Sequence, residues 1–326
     1  MIYLTLFGVT RNFGSYKYLL LLFPSFGIFF ATLEIILYPY VYSHYAGHIL
    51  YSTHRPFNLS KEVVTWLLAF YTGVYGSTIS ILAVQFLYRY WAIFRDTNLS
   101  YFNGWRLLLW ILYSLIFGIQ YACGLYYFER IDDYTKHYLE HDMMQKFNID
   151  FSEIAGMALV AFDPDGSVRW WNVSCTLNIT SVLFIQYTII IYCALRMYIE
   201  MESKIAILSP SLRNLHKQFF KTLVLQIVCP TIILFFPVLL IIYLPLLDLE
   251  MDVPSGIFLC AFTLYPAMDA MIVMYVVKDY KKAALNSERP RNQQPLLPLE
   301  KEPGGHKHLQ CWDNFEILIP CTVASI

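Results

Sequence analysis

Charged residues are scarce in this chain of 326 residues. Asp, Glu, Lys and Arg together make up 14% of it, whereas a soluble globular domain carries about 25%. The formal net charge is −1, so bulk charge gives no argument for binding to nucleic acid or to an anionic surface. The composition therefore argues against an ordinary soluble domain, and we predict no nucleic-acid partner.

Catalytic and metal-binding motifs are also missing. The sequence contains no Gly-rich phosphate loop, no HExxH and no GxSxG, each of which would place reactive groups at a defined spacing. Its seven cysteines are scattered, without metal-ligand spacing. His44 and His48, and likewise His137 and His141, stand four residues apart, but no cysteine or carboxylate pattern accompanies them. We therefore predict no enzyme activity, no cofactor and no metal site.

Apolar residues, by contrast, are abundant and clustered. Hydrophobic residues make up 57% of the chain and aromatic residues 17%. Six blocks reach the roughly 20 residues that a bilayer-spanning helix needs. Because backbone groups in hydrocarbon must be paired internally, and these runs do not alternate like barrel strands, the blocks are predicted to be helices. The fold class is thus an all-α membrane protein, with helices at about 18–42, 63–88, 107–128, 179–199, 222–244 and 255–277.

The basic residues predict the orientation of these helices. Lys and Arg fall mainly in every second connecting stretch and in the C-terminal stretch, whereas carboxylates crowd the stretch after the third block. By the positive-inside rule both termini are cytoplasmic, and 129–178 is a long extracellular loop. Glycosylation sequons at Asn58, Asn172 and Asn178 fall on the same outer side.

Two further segments have distinct predictions. In the outer loop, MALVAF, DPDG and SVRWWNV favour two short strands about a tight turn. Such a hairpin could cover the mouth of a cavity between the helices. The C-terminal stretch 286–326 is rich in Pro, Gln and charge, which predicts a disordered cytoplasmic tail.

Four stretches together resemble a known family. They are NFGSYKYLLL, QFLYRYW, LHKQFFKTLVLQIVCPTIILFFP and LYPAMDAMIVMYVVKDYKKAAL, which follow one another across about 8–285. In their order and spacing the chain resembles the nematode Str-type chemoreceptors, seven-helix G-protein-coupled receptors of the serpentine superfamily. The resemblance implies a receptor bundle over 1–285, a small odorant-type ligand outside and a heterotrimeric G-protein inside. It also implies a plasma-membrane location, in sensory neuron cilia.

Aligned in this way, the six blocks resemble helices two to seven of the seven-helix GPCR-like bundle. Residues 1–9 resemble the end of helix one, so most of that helix is expected to be missing from this sequence. Either the gene model is incomplete or the protein is shortened. Two other functions stay open: a six-span transporter or channel, and a truncated receptor copy that does not signal. A transporter would need lining charges or internal repeats; Glu34 and Asp269 are the lining candidates, and no repeat is found.

The resemblance implies a switch at the inner end of the second block. There Arg89, flanked by Tyr88 and Tyr90, would face the G-protein together with the basic residues Lys217 and Lys221. Tyr88 occupies the position where many rhodopsin-like receptors have an acidic residue, so a resting contact needs another partner or is absent. The alternative is a membrane anchor, because Arg extends to the interface and Tyr and Trp favour headgroup depth.

Hinge candidates lie in the last two blocks. Asp269 sits within a span, where a carboxylate costs about 2.5–3.5 kcal/mol and should face the bundle; it is either a hinge element or a packing residue. Pro266 lies three residues earlier and could open the helix. The family pattern has proline after this aspartate, whereas Ala270 follows here. Pro230 and Pro237 could kink the preceding helix.

The ligand is expected between the outer halves of the helices. Glu34 is a further candidate, for either structural pairing or a ligand contact. A Cys123–Cys175 disulfide would join a helix end to the outer loop, although the cysteine expected at the outer end of the 63–88 block is absent. The aromatic candidates at suitable depth are Tyr71, Tyr75, Tyr121, Tyr126, Phe258 and Phe262.

Overall fold

A computed structural model describes residues 2–3, 5–6, 16–205, 224–248, 262, 264–265, 267–269 and 271–272. The helices within these ranges are α1 Tyr16–Leu37, α2 Lys61–Phe94, α3 Leu107–Phe128, α4 Asp133–Phe147, α5 Trp170–Ile205 and α6 Val224–Leu247. The strands are β1 Tyr40–His44, β2 Gly47–Ser52 and β3 Ala155–Val160. The described residues between 262 and 272 are helical, and we call them the last helical segment.

Five of these helices can cross a membrane. α1, α2, α3, α5 and α6 each exceed the roughly 20 apolar residues that a span requires, whereas α4 has 15 residues. α3 also exposes a row of large apolar side chains away from the bundle, which suits contact with hydrocarbon rather than water. These side chains are Leu108, Leu109, Leu112, Ile116 and Ile119. The chain is thus a multi-pass helical membrane protein.

α2 lies at the centre of the bundle. It begins at Lys61 after an N-cap at Ser60, whose hydroxyl accepts a hydrogen bond from Val63 N, and it packs on α1, α3 and α5. Glycines permit its closest approach to α3, because a Cβ on Gly73 would lie 2.9 Å from the carbonyl oxygen of Gly118. Small residues at such a crossing let two helix backbones pack directly.

A three-stranded sheet covers one end of this bundle. β2 is the middle strand and pairs antiparallel with β1 and β3, so that Ile49 lies opposite Tyr42 and Ala158. β3 contacts α2, α3 and α5, while β1 and β2 contact α6. Leu139 and Met143 of α4 pack into an apolar cluster with the sheet. We call this the sheet end, and the opposite end, where α2 carries Arg89, the arginine end.

The predicted hairpin is correct in its first strand and wrong in its second. MALVAF supplies most of β3, and DPDG forms a tight turn in which Gly166 adopts φ 81. Beyond the turn, however, the single bridge that returns joins Val168 to Phe162, because α5 begins at Trp170. β3 instead pairs along its whole length with β2, which comes from the loop between the first two spans.

The helix boundaries differ from the predicted ranges at several ends. α3 spans the predicted 107–128. α1 ends at Leu37 rather than 42, because Tyr38 adopts φ 48 and leads into β1. α2 extends to Phe94, and α5 starts nine residues before 179. Much of the predicted 255–277 span and all of the 286–326 tail lie outside the described residues.

Candidate functional site

A cavity of about 70 Å³ lies between the helices just below the sheet. On a comparable measure one water needs about 10–15 Å³, so the space suits a small molecule. α1, α2, α3, α5, α6, the first two strands and the last helical segment all contribute to its wall. Its lining is mainly apolar and aromatic: Phe30, Val41, His48, Leu50, Tyr71, Thr72, Tyr75, Tyr121, Leu125, Glu129, Ile179, Val238, Ile241, Ile242 and Phe262.

Four of the predicted pocket residues line this cavity and form one aromatic cluster. Tyr75 is its centre, with ring centroids 4.8 Å from Phe262 and 5.9 Å from Tyr121. Tyr71 stacks on Phe30 at 4.5 Å. Aromatic pairs at these distances stabilise the fold beyond the effect of area burial alone, so this part of the wall is a packed aromatic surface.

Two of the other three candidates do not line the cavity. Tyr126 stacks on Trp66 at 4.1 Å and lines a separate surface groove, so its assignment to the pocket is wrong. Glu34, half-buried on α1, is not among the lining residues. Phe258 lies outside the described residues.

The polar end of the cavity was not predicted. His48 Nε2 of β2 lies 3.2 Å from Glu129 Oε1, at the end of α3, and both side chains are buried. A backbone hydrogen bond fixes the main chain of Glu129 against the sheet, because Ala158 N of β3 donates to the Glu129 carbonyl oxygen at 2.9 Å. In the sequence both residues belong to polar loops, and only the sheet brings those loops together.

A hydrogen bond connects the cavity to the π-helical part of α6. Tyr75 Oη donates to the carbonyl oxygen of Leu234 at 2.9 Å, in a buried position. Leu234 belongs to a π-helical stretch, Thr231–Phe235, which lies between Pro230 and Pro237. Prolines lack the backbone N–H of a regular helix, and π-helical stretches often mark functional sites. We call residues 230–237, with their π-helical stretch, the proline-bounded section of α6.

At the arginine end, three helices meet through buried polar side chains. Arg89 of α2 is 1% exposed, and its Nη1 donates to Gln226 Oε1 of α6 at 2.8 Å. Gln226 Nε2 in turn lies 3.4 Å from Asp269 Oδ1 on the last helical segment. The Arg89 guanidinium also lies 5.2 Å from the centre of the Phe86 ring. Gln226 was missed in the sequence because a single amide in an apolar run carries no recognisable pattern.

The residues beside Arg89 also face the protein, so the membrane-anchor interpretation of this segment is wrong. Tyr90 is buried and donates to Glu200 Oε1 of α5 at 3.3 Å. Tyr88 packs edge-on against Phe102 at 4.9 Å. An anchor would point these side chains towards headgroups. Pro266, Lys217 and Lys221 lie outside the described residues.

Two of the predicted modification sites are incompatible with the structure. Asn172 is buried in α5, and its Nδ2 donates to the carbonyl of Phe128 at 3.3 Å. Asn178 Nδ2 donates to the carbonyl of Gln120 at 3.2 Å. The amides that would carry sugar are therefore used in helix packing, whereas Asn58 is exposed.

The predicted Cys123–Cys175 disulfide is not formed. Both thiols are free in the structure. Cys175 is fully buried, and its thiol lies beside the Glu129 carboxyl. Because α5 starts earlier than predicted, Cys175 belongs to the helix and not to an outer loop that could reach across to Cys123.

Comparisons with known proteins identify this arrangement of helices. The family described as serpentine type 7TM GPCR chemoreceptor Str matches residues 1–285. The chain is 35% identical over 289 residues to G-protein coupled receptor str-33 of Caenorhabditis elegans, which covers 87% of this chain and 84% of that protein. It is 28% identical over 281 residues to serpentine receptor class r-10 of the same organism, with 85% and 82% covered. No solved structure matches significantly.

These matches do not favour a transporter or a non-signalling copy, and the family is one of receptors rather than enzymes. The apolar cavity at one end and the buried polar contact at the other are consistent with that assignment. The chain belongs to the Str family of nematode serpentine chemoreceptors, which are G-protein-coupled receptors.

Proposed function

We propose that this receptor binds a small molecule in the sheet-end cavity and signals to a heterotrimeric G-protein at the arginine end. The orientation follows from Lys and Arg, which concentrate in the stretches next to the arginine end. In the plasma membrane of a sensory cilium the sheet would then face outside and the C-terminus inside. The exposed Asn58 is the sequon best placed to carry sugar, and Lys217 and Lys221 would lie beside the G-protein.

The chain of polar contacts from Arg89 through Gln226 to Asp269 is the observation that carries this proposal. An arginine cannot be buried at low cost without hydrogen bonds and a counter-charge. Here those partners come from two other helices, so separating the helices at this end would break the contact and release the guanidinium. The arrangement acts as a resting contact, with Gln226 in place of the acidic neighbour that Tyr88 replaces.

α6 would couple the cavity to this contact. Leu234, which accepts the Tyr75 hydrogen bond, and Gln226 lie eight residues apart on the same helix, which is about 12 Å along its axis. A ligand that shifts Tyr75 changes the position of the proline-bounded section, and the inner half of α6 moves with Gln226. Ligand binding then favours the conformation in which Arg89 is released.

The test compares three variants in cells that express a reporter G-protein. Gln226→Leu keeps the side-chain volume but removes the partner of Arg89, so basal signalling should rise about fivefold or more, the low end of allosteric coupling. Arg89→Met keeps the apolar stem and should abolish agonist-evoked signalling. Arg95→Met is the matched control, because Arg95 is exposed just beyond α2, and it should signal like the parent protein.

Surface amount is measured with an epitope inserted at Asp165, in the exposed turn after β3. Antibody should reach this epitope on intact cells, and labelling only after permeabilisation would reverse the proposed orientation. Unchanged basal signalling in Gln226→Leu, with Arg89→Met still responsive at equal surface amount, would contradict the switch.

A further inference from the structure

A groove on the side of the bundle lies where the sheet meets three of the spans, and Tyr126 is one of its wall residues. We call it the lateral groove. Its volume is about 840 Å³, within the roughly 300–1,000 Å³ of small-molecule sites. The start of α2, the end of α3, the start of α5 and the strand β3 form its wall. Because three of these are the ends of membrane spans, the groove lies at the depth of the lipid headgroups.

Large aromatic side chains of the lateral groove are exposed. Trp66 is 51% exposed, Tyr127 59% and Trp171 65%. Trp66 also stacks on Tyr126, with ring centroids 4.1 Å apart. Trp and Tyr are common at headgroup depth, and the faces of their rings attract quaternary ammonium groups. The groove therefore offers a surface for a choline group.

Charged side chains of both signs accompany these rings. Lys61 and Arg130 line the groove, and neither side chain forms a hydrogen bond or an ion pair with any described residue. Glu62 also lines the groove and is exposed. Two cations suit a phosphate group, whereas one carboxylate suits an ammonium group. These charges fit a zwitterionic headgroup better than an anionic one, which has no cation to place beside Glu62.

An exposed apolar row leads from the groove along α2. Val63, Trp66 and Phe70 follow one another at intervals of three and four residues, so they lie on one side of the helix. Between 41% and 51% of each side chain is exposed. Phe70 contacts Phe29 of α1 edge-on, with ring centroids 6.1 Å apart. The row lies within the span and suits an acyl chain, which a water-soluble phosphate compound lacks.

We infer that the lateral groove binds phosphatidylcholine from the membrane leaflet at the sheet end. The phosphate lies beside Lys61 and Arg130, and the choline group packs on the exposed rings near Glu62. One acyl chain follows the apolar row on α2. The lateral groove shares no lining residue with the cavity below the sheet, so this inference does not depend on the proposed function.

Two residues at the same end provide matched controls. Trp170 and Trp171 are adjacent and similarly exposed, at 70% and 65%, but of the two only Trp171 lines the groove. Lys136 of α4 is exposed and does not line the groove. Lys136→Met therefore removes a cation from the sheet end, as Lys61→Met does, without changing the inferred site. Substitutions of such surface side chains change stability little.

The experiment titrates the purified receptor in detergent micelles and counts bound molecules by native mass spectrometry. The added molecules are free phosphocholine and the dioctanoyl forms of phosphatidylcholine, phosphatidylethanolamine, phosphatidylglycerol and diacylglycerol. Phosphatidylcholine should bind about 10-fold more tightly than phosphatidylglycerol or diacylglycerol, because each of these lacks a charged group that the groove matches. Phosphatidylethanolamine should bind about threefold more weakly than phosphatidylcholine, since its ammonium lacks the methyl groups that pack on the rings.

The variants locate this binding in the groove. Lys61→Met/Arg130→Met should weaken phosphatidylcholine binding about 10-fold or more, and Trp171→Leu about threefold. Lys136→Met and Trp170→Leu should bind like the parent protein. Glu62→Gln should weaken phosphatidylcholine binding about threefold and strengthen phosphatidylglycerol binding, an opposite change that a merely structural role of Glu62 would not produce.

Several results would overturn the inference. Tighter binding of phosphatidylethanolamine or phosphatidylglycerol would exclude a choline site, and free phosphocholine binding as tightly as the lipid would exclude a role for the acyl chain. Equal effects of Trp170→Leu and Trp171→Leu would place the lipid elsewhere. Equal binding of every lipid, unchanged in all variants, would mean that the receptor is only solvated by lipid.

Discussion

The two ends of the bundle bury ionisable groups in different ways. At the arginine end, Arg89 has its hydrogen-bond acceptor in Gln226, and Gln226 is close to Asp269. At the sheet end, His48 and Glu129 contact each other but leave one polar atom each unpaired beside a cavity. Arg89 Nε also has no hydrogen-bond partner among the described residues, so the two ends differ in what surrounds the unpaired atoms, which is packed helices at the arginine end and a cavity at the sheet end.

This difference separates a switch from a binding site. A contact whose partners come from three helices reports how those helices are arranged, and it changes when they move. A pair that lines a cavity is instead affected by what occupies that cavity. α6 contacts both, through Leu234 on the cavity side and Gln226 on the switch side.

The largest expected effect is a difference in stability between matched substitutions at the two ends. Asp269→Leu removes the counter-charge of an arginine that cannot lose its proton, so the free energy of unfolding in detergent should fall by about 3–5 kcal/mol. Glu129→Leu leaves a histidine, which can be buried neutral, and should cost only about 1–3 kcal/mol. Thermal unfolding of both purified variants gives the comparison.

The double variant Arg89→Met/Asp269→Leu is the control for this interpretation. Replacing a buried charged group and its counter-charge with apolar residues is often neutral or stabilising, so the double variant should recover most of the loss caused by Asp269→Leu alone. Equal losses of unfolding free energy in Asp269→Leu and Glu129→Leu, or no recovery in the double variant, would contradict this interpretation. The cost of removing a carboxylate would then not depend on whether its neighbour is an arginine or a histidine.

A smaller effect is expected where the two ends are connected. Tyr75→Phe removes the hydrogen bond to the Leu234 carbonyl and should lower the free energy of unfolding by about 1 kcal/mol. Because the ring and the cavity wall remain, agonist binding should change by less than about threefold, while the maximal agonist-evoked signal falls. The readouts are thermal unfolding, ligand binding and reporter signalling.

Tyr126→Phe provides the comparison for Tyr75→Phe, since Tyr126 lies outside the cavity and stacks on Trp66. It should keep both binding and maximal signal. If Tyr75→Phe kept the full signal, or lost binding and signal in proportion, α6 would not transmit the change through Leu234.

The sequence predicted the spans better than the contacts between them. The range 107–128 could be read from hydropathy because Arg106 and Glu129 bound the apolar run. The start of α5 could not, because its first turns are polar and are held by packing on α3 through Asn172 and Asn178. β3 was visible as a strand, but its partner β2 lies more than a hundred residues away in the chain.

The same limit applies to the candidate site. Arg89 and Asp269 stand out because charges within spans are rare and costly. Gln226, His48 and Glu129 do not stand out, since an amide in an apolar run and two polar loop residues have no distinctive spacing. Their roles follow only from tertiary contacts, which a single sequence does not contain.

The smallest expected effect concerns the rim of the sheet end, where charges meet water. Asp132 caps α4, accepts a hydrogen bond from Thr135 N at 2.8 Å and forms an ion pair with Arg169 at the start of α5. Partial burial raises the pKa of this carboxyl, but the bonds from Thr135 and Arg169 outweigh it and hold the pKa below the ordinary 3.8.

A carboxyl with a lowered pKa stabilises the fold at pH values above 3.8, and this contribution is lost as the pH falls through the folded-state value. Asp132 is half-exposed, so solvent screening limits the contribution to under about 1 kcal/mol, or about 2 °C in the midpoint of thermal unfolding. Asp132→Asn should therefore unfold at a lower temperature than the parent protein at pH 7, and the gap should close below pH 3.8. Asp133→Asn is the control, because the Asp133 carboxylate makes no ion pair with Arg169 in the structure, and its difference in unfolding temperature from the parent protein should not close below pH 3.8. A difference of constant size in Asp132→Asn would mean that the carboxylate charge contributes nothing to the contact between α4 and α5.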